Sequence, residues 1–247
     1  MDSKNKAFTK VAKYYDLVMQ DFDYREMVDY LDDLIMDAGG DRTTILSIGC
    51  GTGEELLFFH QLGYTISGLD NSKEMIEVAK EKLPFMEIYC MDMVDFKLEN
   101  RVDNIISTFD SINNILDDKS LERCFKSVYN SLNRGGLFLF DFNTVYTFIH
   151  DWKGVRTEEG EGYEMIYESE FNYNTMICDT LIKFFIEEED KHIKFSELHR
   201  EKGYTEETMK NLLKKVGFKV VKSVPFLKKK GVKTSEVSRY QIVAKKV

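Results

Sequence analysis

The 247-residue chain has only two prolines, one tryptophan and four histidines, and it lacks any long uninterrupted run of apolar residues. So few prolines argue against long proline-rich linkers. The lack of an apolar run of bilayer length argues against a transmembrane helix. The N-terminal stretch MDSKNKAFTK is polar and has no apolar signal core. We therefore expect a soluble, cytoplasmic protein without a membrane partner.

Cysteine is also sparse, and its four positions stand far apart: Cys50, Cys90, Cys124 and Cys178. There is no C-x-x-C pair and no cluster of cysteine with histidine, which argues against a structural zinc site. Free thiols in a reducing cytoplasm fit such spacing. The sequence therefore predicts a protein without a bound metal.

Cationic residues are the minority among charged residues. The chain has 34 lysines and arginines against 43 aspartates and glutamates, which gives a net charge of −9. Binding a nucleic acid over a broad surface needs a local excess of cations, so the composition disfavours that partner. The one basic cluster, LKKKGVK at 227–233, is interpreted as a solvated turn between two strands, with a nucleic-acid patch as the alternative.

The chain does contain a regular alternation of β-type and helical patterns. Helical patterns cover Lys6 to Ala38 and then GEELLFFHQL, SKEMIEVAKEKL and KSLERCFKSVYNSL. Strand patterns between them are TILSIG, YTISGLD, FMEIYCMD, VDNIISTFD and GLFLFDFN. Strands that alternate with helices form a parallel sheet covered on both faces. We therefore predict an α/β, Rossmann-like fold.

The pattern changes after Asn143, where YEMIYESEFNY, TMICDTLIKFFIEEE and HIKFSELHRE are typical of successive strands. The segments NYNT and EEEDK are the expected hairpin turns. Helix and strand patterns return with TEETMKNLLKKVGF, FKVVKSVPF and SRYQIVAKKV. We predict N-terminal helices and a core in 1–144, a small antiparallel β insert in 145–200, and a helix with two closing strands in 201–247.

The segment TTILSIGCGTGEELLFF places glycines at every second position between a strand and a helix. Strand, glycine turn and helix are the usual entrance to a nucleotide-like cofactor site. A dinucleotide site prefers G-x-G-x-x-G, but here Gly49, Gly51 and Gly53 bring the third glycine one position early. Glu54 follows, and it would repel a phosphate ~4 Å away by ~4 kcal/mol at an effective dielectric of about 20. S-adenosylmethionine, which has no phosphates, avoids that conflict, and a nicotinamide-dependent oxidoreductase is the disfavoured alternative.

Acidic residues follow the next two strands. Asp70 ends YTISGLD roughly 20 residues after the glycines, where a carboxylate can accept hydrogen bonds from ribose hydroxyls. Asp92 lies in YCMDM at the end of the following strand. Taken singly, Asp70 could cap a helix and Asp92 could lie in a solvated turn. Together with the glycine loop they predict a cofactor site at the carboxyl ends of three strands.

The motifs ILSIGCGTG, GLDNSKEMIEVAK, CMDMVDF, VDNIISTFDSINNIL and LNRGGLFLFDFNT resemble, in that order, those of class I S-adenosylmethionine-dependent methyltransferases. The resemblance covers Thr43 to Thr144 closely. The flanking VAKYYDLVMQDFDY and ELHREKGYTEETMKNLLKKVGF are similar to a bacterial subgroup of small methyltransferases. The resemblance to this family implies a seven-stranded sheet with an antiparallel last strand and a small antiparallel sheet inserted after the fifth strand. It also implies S-adenosyl-L-methionine as the cofactor.

By that resemblance, Gly49, Cys50 and Gly51 would lie against the methionine end of the cofactor, and Asp70 would hold the ribose hydroxyls. The other implied positions are Asn71 and Met75 near ribose and adenine, Asp92 and Met93 at the adenine, Phe109 below the sulfonium, and Tyr15 closing over the cofactor. Ser47 departs from the family, which usually carries an acid there. We expect Ser47→Asp to tighten cofactor binding if the missing charge matters.

Methyl transfer depends on alignment of nucleophile and methyl more than on a distinctive catalytic signature. Three candidates for proton handling are Asp110 and Asn113, in FDSINN, and His199, in SELHRE. A histidine can act as a base near neutral pH, but His199 and Glu197 could instead only brace the insert against the core. The predicted reaction is methyl transfer to an N or O nucleophile of a small molecule. The alternative is a non-catalytic protein that binds S-adenosylmethionine.

The aromatic-rich insert is a candidate lid over the acceptor pocket, although its aromatic residues could simply hold a small sheet to the core. If it is a lid, deleting it should spare cofactor binding but abolish turnover. The sequence makes no prediction of the oligomeric state.

Overall fold

The computed structural model of the chain describes residues 7–188, 191–227 and 236–247. The strands are β1 (Thr44–Ile48), β2 (Thr65–Asp70), β3 (Glu87–Cys90), β4 (Val102–Ser107), β5 (Leu132–Asn143), β6 (Gly154–Gly160), β7 (Tyr163–Asn172), β8 (Ile177–Glu188), β9 (Lys191–Lys202), β10 (Phe218–Pro225) and β11 (Arg239–Lys246). The helices are α1 (Tyr15–Val18), α2 (Tyr24–Asp37), α3 (Glu54–Gln61), α4 (Lys73–Lys82), α5 (Asp118–Ser131) and α6 (Glu206–Val216). Short 3-10 turns at Val11–Tyr14 and Ser111–Asn114 and a π-helical turn at Thr147–Asp151 complete these elements.

Two predicted segments fall partly outside these ranges. Residues 228–233 of the basic cluster and residues 189–190 of the EEEDK turn lie outside the described residues. Within the ranges that are described, no helix is long and apolar enough to cross a membrane.

The larger sheet has seven strands in the order β10–β11–β5–β4–β1–β2–β3. Strand β1 pairs in parallel with β2 on one side and β4 on the other, so the strand order reverses between β1 and β4. Strand β11 runs antiparallel to both β5 and β10. The structure thus confirms the predicted Rossmann-like sheet with its antiparallel last strand. In such sheets the ligand crevice lies at the carboxyl ends of the strands that flank the reversal.

The core has helices on both faces of this sheet, as the alternation of patterns predicted. Strand β1 is buried from Ile45 to Ile48, because its side chains face helices on both sides. One buried cluster joins the sheet to α5 and α6, and a second joins it to α2, α3 and α4. This close packing holds the carboxyl ends of the strands, and the loops that follow them, in fixed places.

The N-terminal region differs from the continuous helical pattern expected between Lys6 and Ala38. It forms a 3-10 turn, the short helix α1 and then, after a break, α2. Asp23 accepts a hydrogen bond from the backbone N–H of Glu26 and so caps α2. Because α2 begins at this cap, the preceding residues form a separate segment. We call residues 7–22 the N-terminal strap.

The smaller sheet is antiparallel, with the order β6–β7–β8–β9, and it lies between β5 and α6 along the chain. The three predicted segments form β7, β8 and β9, whereas β6 was not identified. Its sequence GVRTEEG is charged and largely exposed, as edge strands commonly are. Buried side chains from β7 and β8 pack against Val11 and Val18 of the strap. The buried apolar side chains of the insert therefore pack against the strap.

Candidate active site

The glycine loop follows β1 and leads into α3. Gly49, Gly51 and Gly53 have φ between 54° and 79°, which favours glycine because it has no Cβ. A Cβ on Gly49 would lie 2.9 Å from Met93 Cε, so these two residues are in close contact. A Cβ on Gly51 would have no atom within 4 Å. The loop backbone therefore borders open space at Gly51, where a cofactor can approach closely.

Asp70, at the end of β2, is bound to this loop. Its Oδ2 accepts a hydrogen bond from the backbone N–H of Gly51 at 3.0 Å, and its Oδ1 accepts from that of Ser72 at 2.8 Å. The predicted ribose-binding acid thus lies at the carboxyl end of its strand, next to the glycine loop. Of its two predicted neighbours, Asn71 is exposed and Met75 is buried against the strap.

Asp92 lies two residues beyond the end of β3 at Cys90. Its side chain is exposed, and its Oδ1 accepts a hydrogen bond from the backbone N–H of Val94 at 2.8 Å. This is the bond of an Asx turn, which stabilises a loop without a ligand. Contact of Asp92 with the adenine of a cofactor therefore stays a prediction.

Sequence reasoning missed Glu55, the second residue of α3. Its side chain is buried, and its Oε1 accepts a hydrogen bond from Ser47 Oγ at 2.6 Å. Its Oε2 accepts one from Thr108 Oγ1 at 2.9 Å. Burial raises the pKa of Glu55 to about 7, although the two hydrogen bonds oppose this. The signal in the sequence was Ser47, a polar residue within the buried part of strand β1, because a buried hydroxyl needs a polar partner.

Glu54, which the sequence reasoning singled out, has a different environment. Its Oε1 lies 2.5 Å from Lys82 Nζ, and Lys82 also contacts Asp16 Oδ2 at 2.7 Å. The charge of Glu54 is therefore partly neutralised by a lysine that the sequence pattern did not connect with it. Glu55, rather than Glu54, is the buried acid beside the glycine loop.

The N-terminal strap crosses this end of the sheet. The hydroxyl of Thr52 donates to Asp16 Oδ1 at 2.5 Å, and the hydroxyl of Ser72 donates to the backbone carbonyl of Phe8 at 2.7 Å. Tyr15 lies near Asp110 and Asp70, and burial together with these acids raises the pKa of its phenol well above the usual range. The strap thus brings Tyr15 to the strand ends that carry the predicted cofactor residues.

Two consecutive residues after β4 have left-handed backbones. Phe109 has a φ of 52° and Asp110 a φ of 49°. Such conformations cost ~1–3 kcal/mol each and cluster at functional sites. The ring of Phe109 packs edge-on against Phe22, with centroids 4.8 Å apart. The Asp110 carboxylate accepts a hydrogen bond from the side-chain amide of Asn143.

Asp110 belongs to a group that joins the insert to the core. We call Asp110, Asp141, Glu201 and Arg239 the acidic junction. Burial raises the pKa of Asp141 to about 6, although Arg239, 2.5 Å away, opposes this. Burial also raises the pKa of Glu201 well above its usual range, and the nearby Asp110 adds to this. Glu201 Oε2 is enclosed and has no hydrogen-bond partner among the described residues.

The other two candidates for proton handling bond to groups within the protein. The buried Asn113 donates from its amide to the backbone carbonyls of Asn143 and Lys202, at 2.8 and 2.7 Å. His199 Nε2 lies 3.1 Å from Glu197 Oε2. These bonds join the insert to the core and to the strap. A catalytic role for Asn113 or His199 stays a prediction.

Glu197 connects the insert to the N-terminal strap. Its carboxylate accepts hydrogen bonds from the backbone N–H groups of four consecutive residues, 8–11, over 2.5 to 3.1 Å. Burial opposes the charge of Glu197, but the bonds from His199 and from these N–H groups outweigh it and lower its pKa. The strap is therefore held by an ionised carboxylate of the insert.

Comparisons with known proteins identify the family. Residues 45–136 match the model of a family described as methyltransferase domain. A protein of Geobacillus sp. (strain WCH70), named as a methyltransferase, is 26% identical over 247 residues, covering 97% of this chain and 99% of that protein. An S-adenosylmethionine-dependent methyltransferase from Clostridium acetobutylicum ATCC 824 has a TM-score of 0.86 at 25% identity, covering 96% of this chain and 98% of that one. The chain is a class I S-adenosylmethionine-dependent methyltransferase.

Another solved structure shares the fold of this methyltransferase at lower identity. It is CalS10 with bound S-adenosylmethionine, an amino pentose methyltransferase from Micromonospora echinaspora involved in calicheamicin biosynthesis. The TM-score is 0.78 at 18% identity, and the match covers 98% of this chain and 99% of CalS10. The similarity extends over nearly the whole chain, so it includes both the sheet and the insert.

The residues present fit S-adenosylmethionine. Gly51 leaves open space at the loop, and the acids bonded to Gly51 and to Ser47, Asp70 and Glu55, take the place of the cations that a phosphate would need. When bound, the cofactor supplies a methyl group on a cationic sulfonium that is already activated for displacement. The methyltransferase therefore has to bind the cofactor, exclude water and orient the acceptor.

Proposed function

We propose that this methyltransferase transfers the methyl group to an amine or hydroxyl of a small molecule, with an amine such as that of an amino sugar as the first candidate. The observation that carries this proposal is the acidic junction. It sets the three carboxyl groups of Asp110, Asp141 and Glu201 against the one guanidinium of Arg239. Such surroundings favour a cationic or neutral acceptor over a phosphate-bearing one.

The covering of the site supports a small acceptor. The strap is bonded to the glycine loop through Thr52 and Asp16, and to the insert through Glu197. Elements held on both sides would limit the size of what can reach the strand ends. CalS10, which shares this fold, acts on an amino pentose. An acceptor of that size, with amino and hydroxyl groups, is the class that we propose.

Methylation of a neutral amine or a hydroxyl releases a proton, which a side chain of the protein or a water molecule accepts. We infer that Glu201 is the acceptor of this proton, because its Oε2 is enclosed and has no hydrogen-bond partner among the described residues. A carboxyl group of raised pKa is a more effective base near neutral pH than an ordinary one. Asp110, held by Asn143, would orient the nucleophile. The predicted base His199 is the alternative.

The test is a coupled assay for S-adenosylhomocysteine release over a panel of amino sugars, phenols, amino acids and tRNA. The expected result is turnover with a small amine or hydroxyl compound, most readily with an amino sugar. Turnover with tRNA alone would contradict the small-molecule proposal. For the accepted compound, Glu201→Gln should lower kcat far more than Glu170→Gln, which changes an exposed acid on β7. Loss of kcat with His199→Gln instead would assign the base to His199.

We also propose the cytoplasm as the site of action. All four cysteines are free thiols in the structure. A reducing compartment preserves such thiols.

A further inference from the structure

Glu55 has a charge that the protein itself does not balance. Its side chain is only 3% exposed, and a buried carboxylate is costly unless it is paired. Two hydroxyl groups, from Ser47 and Thr108, donate to it. No lysine, arginine or histidine in the described part of the chain forms an ion pair with it. An ionised carboxylate has about four acceptor positions, so it can accept further hydrogen bonds.

The position of Glu55 is that of a ligand-binding group. Ser47 is the penultimate residue of β1, and Thr108 directly follows β4. Their hydroxyls therefore hold the carboxylate across the gap between β1 and β4, where the strand order reverses. Open α/β sheets bind their ligands at that point. The open space at Gly51 belongs to the loop that joins Ser47 and Glu55 along the chain.

The distance between Ser47 and Glu55 relates this carboxylate to the position in β1 where the family usually carries an acid. Ser47 Oγ and Glu55 Oε1 are 2.6 Å apart, although the residues are eight positions apart in the chain. A carboxylate on either side chain would therefore reach the same region. The acid missing from strand β1 is replaced in space by an acid on helix α3.

We propose that Glu55 binds the α-ammonium group at the methionine end of S-adenosylmethionine, and that Ser47 and Thr108 are positioning residues that orient its carboxylate. The cationic ammonium supplies the charge that Glu55 lacks within the protein. Glu55 is thus a cofactor-binding residue of this chain in addition to those predicted from the glycine loop. The proposal rests on the cofactor of the family and is independent of the acceptor.

The experiment compares two ligands by isothermal titration calorimetry. S-adenosylhomocysteine carries the ammonium group, whereas 5′-methylthioadenosine lacks the whole amino-acid end. Glu55→Gln should weaken S-adenosylhomocysteine binding roughly 10- to 100-fold, as expected for loss of a hydrogen bond between charged groups. Binding of 5′-methylthioadenosine should change by less than about threefold. Glu54→Gln removes the neighbouring charge and should leave the ratio of the two affinities unchanged.

Equal effects of Glu55→Gln on both ligands, or no effect on either, would overturn the proposal. Failure of the unaltered protein to bind S-adenosylhomocysteine would instead contradict the cofactor, and failure to methylate a small amine would contradict only the proposed acceptor. A second variant tests whether an acid at position 47 can take the place of Glu55. The double change S47D with E55Q should restore at least part of the lost affinity for S-adenosylhomocysteine, because it returns one carboxylate to the same region. If the double variant binds S-adenosylhomocysteine no better than Glu55→Gln alone, an acid at position 47 does not take the place of Glu55.

Discussion

The Asp141 carboxylate and the Arg239 guanidinium lie 2.5 Å apart and join β5 to its antiparallel neighbour β11. Asp141 is 1% exposed, so this ion pair is part of the core as well as of the acidic junction. Arg239 also lies near Asp110 and Glu201. One guanidinium therefore compensates three acids, and its removal affects all of them.

Arg239→Met should destabilise the fold by roughly 3–5 kcal/mol, because it leaves a buried carboxylate without its partner. The free energy of unfolding in urea measures this loss. Arg239→Lys keeps the charge but not the paired donors, and it should cost clearly less. The double variant D141N with R239M should be more stable than Arg239→Met alone. A double variant that is less stable than the single one would contradict this account.

Gly51→Ala should weaken cofactor binding roughly tenfold or more, because the new Cβ enters the open space beside the loop. Gly63→Ala is the matched control, since Gly63 also has a positive φ, of 97°, and a Cβ there also meets no atom within 4 Å. Both changes should cost roughly 1–2 kcal/mol of stability through backbone strain. Calorimetry with S-adenosylhomocysteine separates the two effects. Equal weakening by both variants would show that Gly51 does not face the cofactor.

Glu197→Gln should loosen the N-terminal strap, because a neutral amide oxygen accepts the four backbone N–H groups less strongly than a carboxylate. We expect faster proteolysis within residues 7–22 and faster release of S-adenosylhomocysteine. Glu188→Gln is the control, since the contact of Glu188 with the strap among the described residues is an exposed ion pair with Lys13. Such pairs contribute about 0–1 kcal/mol. Comparable effects from both variants would contradict a special role for Glu197.

The contact between Glu197 and the strap changes an expectation drawn from the sequence. Deleting the insert was expected to spare cofactor binding, but it would also remove Glu197, which holds the strap beside the glycine loop. We now expect the deletion to weaken cofactor binding as well as turnover. Cofactor affinity unchanged by the deletion would restore the simpler view of the insert as a lid.

The stability of the cofactor-free protein should fall as pH rises from about 4.5 to about 7. Glu55 has a folded-state pKa of about 7 against an ordinary value of 4.5, so the folded state binds more protons than the unfolded state in this window. Stability from the protonated form is therefore full below pH 4.5 and is lost as pH rises through 7. Asp141, with a pKa raised to about 6, acts in the same direction.

Unfolding experiments across this pH range test the assignment to Glu55. The titratable groups that face Glu55 from the surrounding elements are Tyr15, Tyr24, Cys50, Asp70 and Asp141. Glu55→Gln should flatten the decline, while Glu54→Gln should leave it unchanged. S-adenosylhomocysteine should also reduce the slope, since a bound ammonium favours the ionised carboxylate. A slope that Glu55→Gln does not change would assign the titration to the other groups.

Local sequence patterns predicted the parts of the fold that local physics determines. The pattern that became β1 was clear because a strand buried on both faces contains few polar residues. The three glycines of the loop permit its positive φ angles, because glycine has no Cβ. Asp70 was predictable because it ends a strand at a fixed distance from that loop.

The contacts that local patterns did not predict join residues far apart in the chain. Glu197 meets the strap across 186 to 189 positions, and Arg239 meets Asp141 across 98. No periodicity of 2 or 3.6 residues carries such information. Glu55 escaped notice for another reason: an acid in the first turn of a helix usually faces solvent and the positive end of the dipole. Its burial depends on hydroxyl groups from two strands.

Two of the attachments of the N-terminal strap, one at Asp16 and one at residues 8–11, differ in their response to ionic strength. Asp16 and Lys82 are about one-third exposed, with side-chain exposures of 36% and 29%, so dissolved salt screens their attraction. The bonds from residues 8–11 reach the buried carboxylate of Glu197 and are screened much less. Rising ionic strength should therefore free the strap first at α1 while residues 8–11 stay attached to the insert. The strap would then separate from the glycine loop first at Thr52. The salt concentration of the solvent, as well as the protein, would determine which side of the strap is released first.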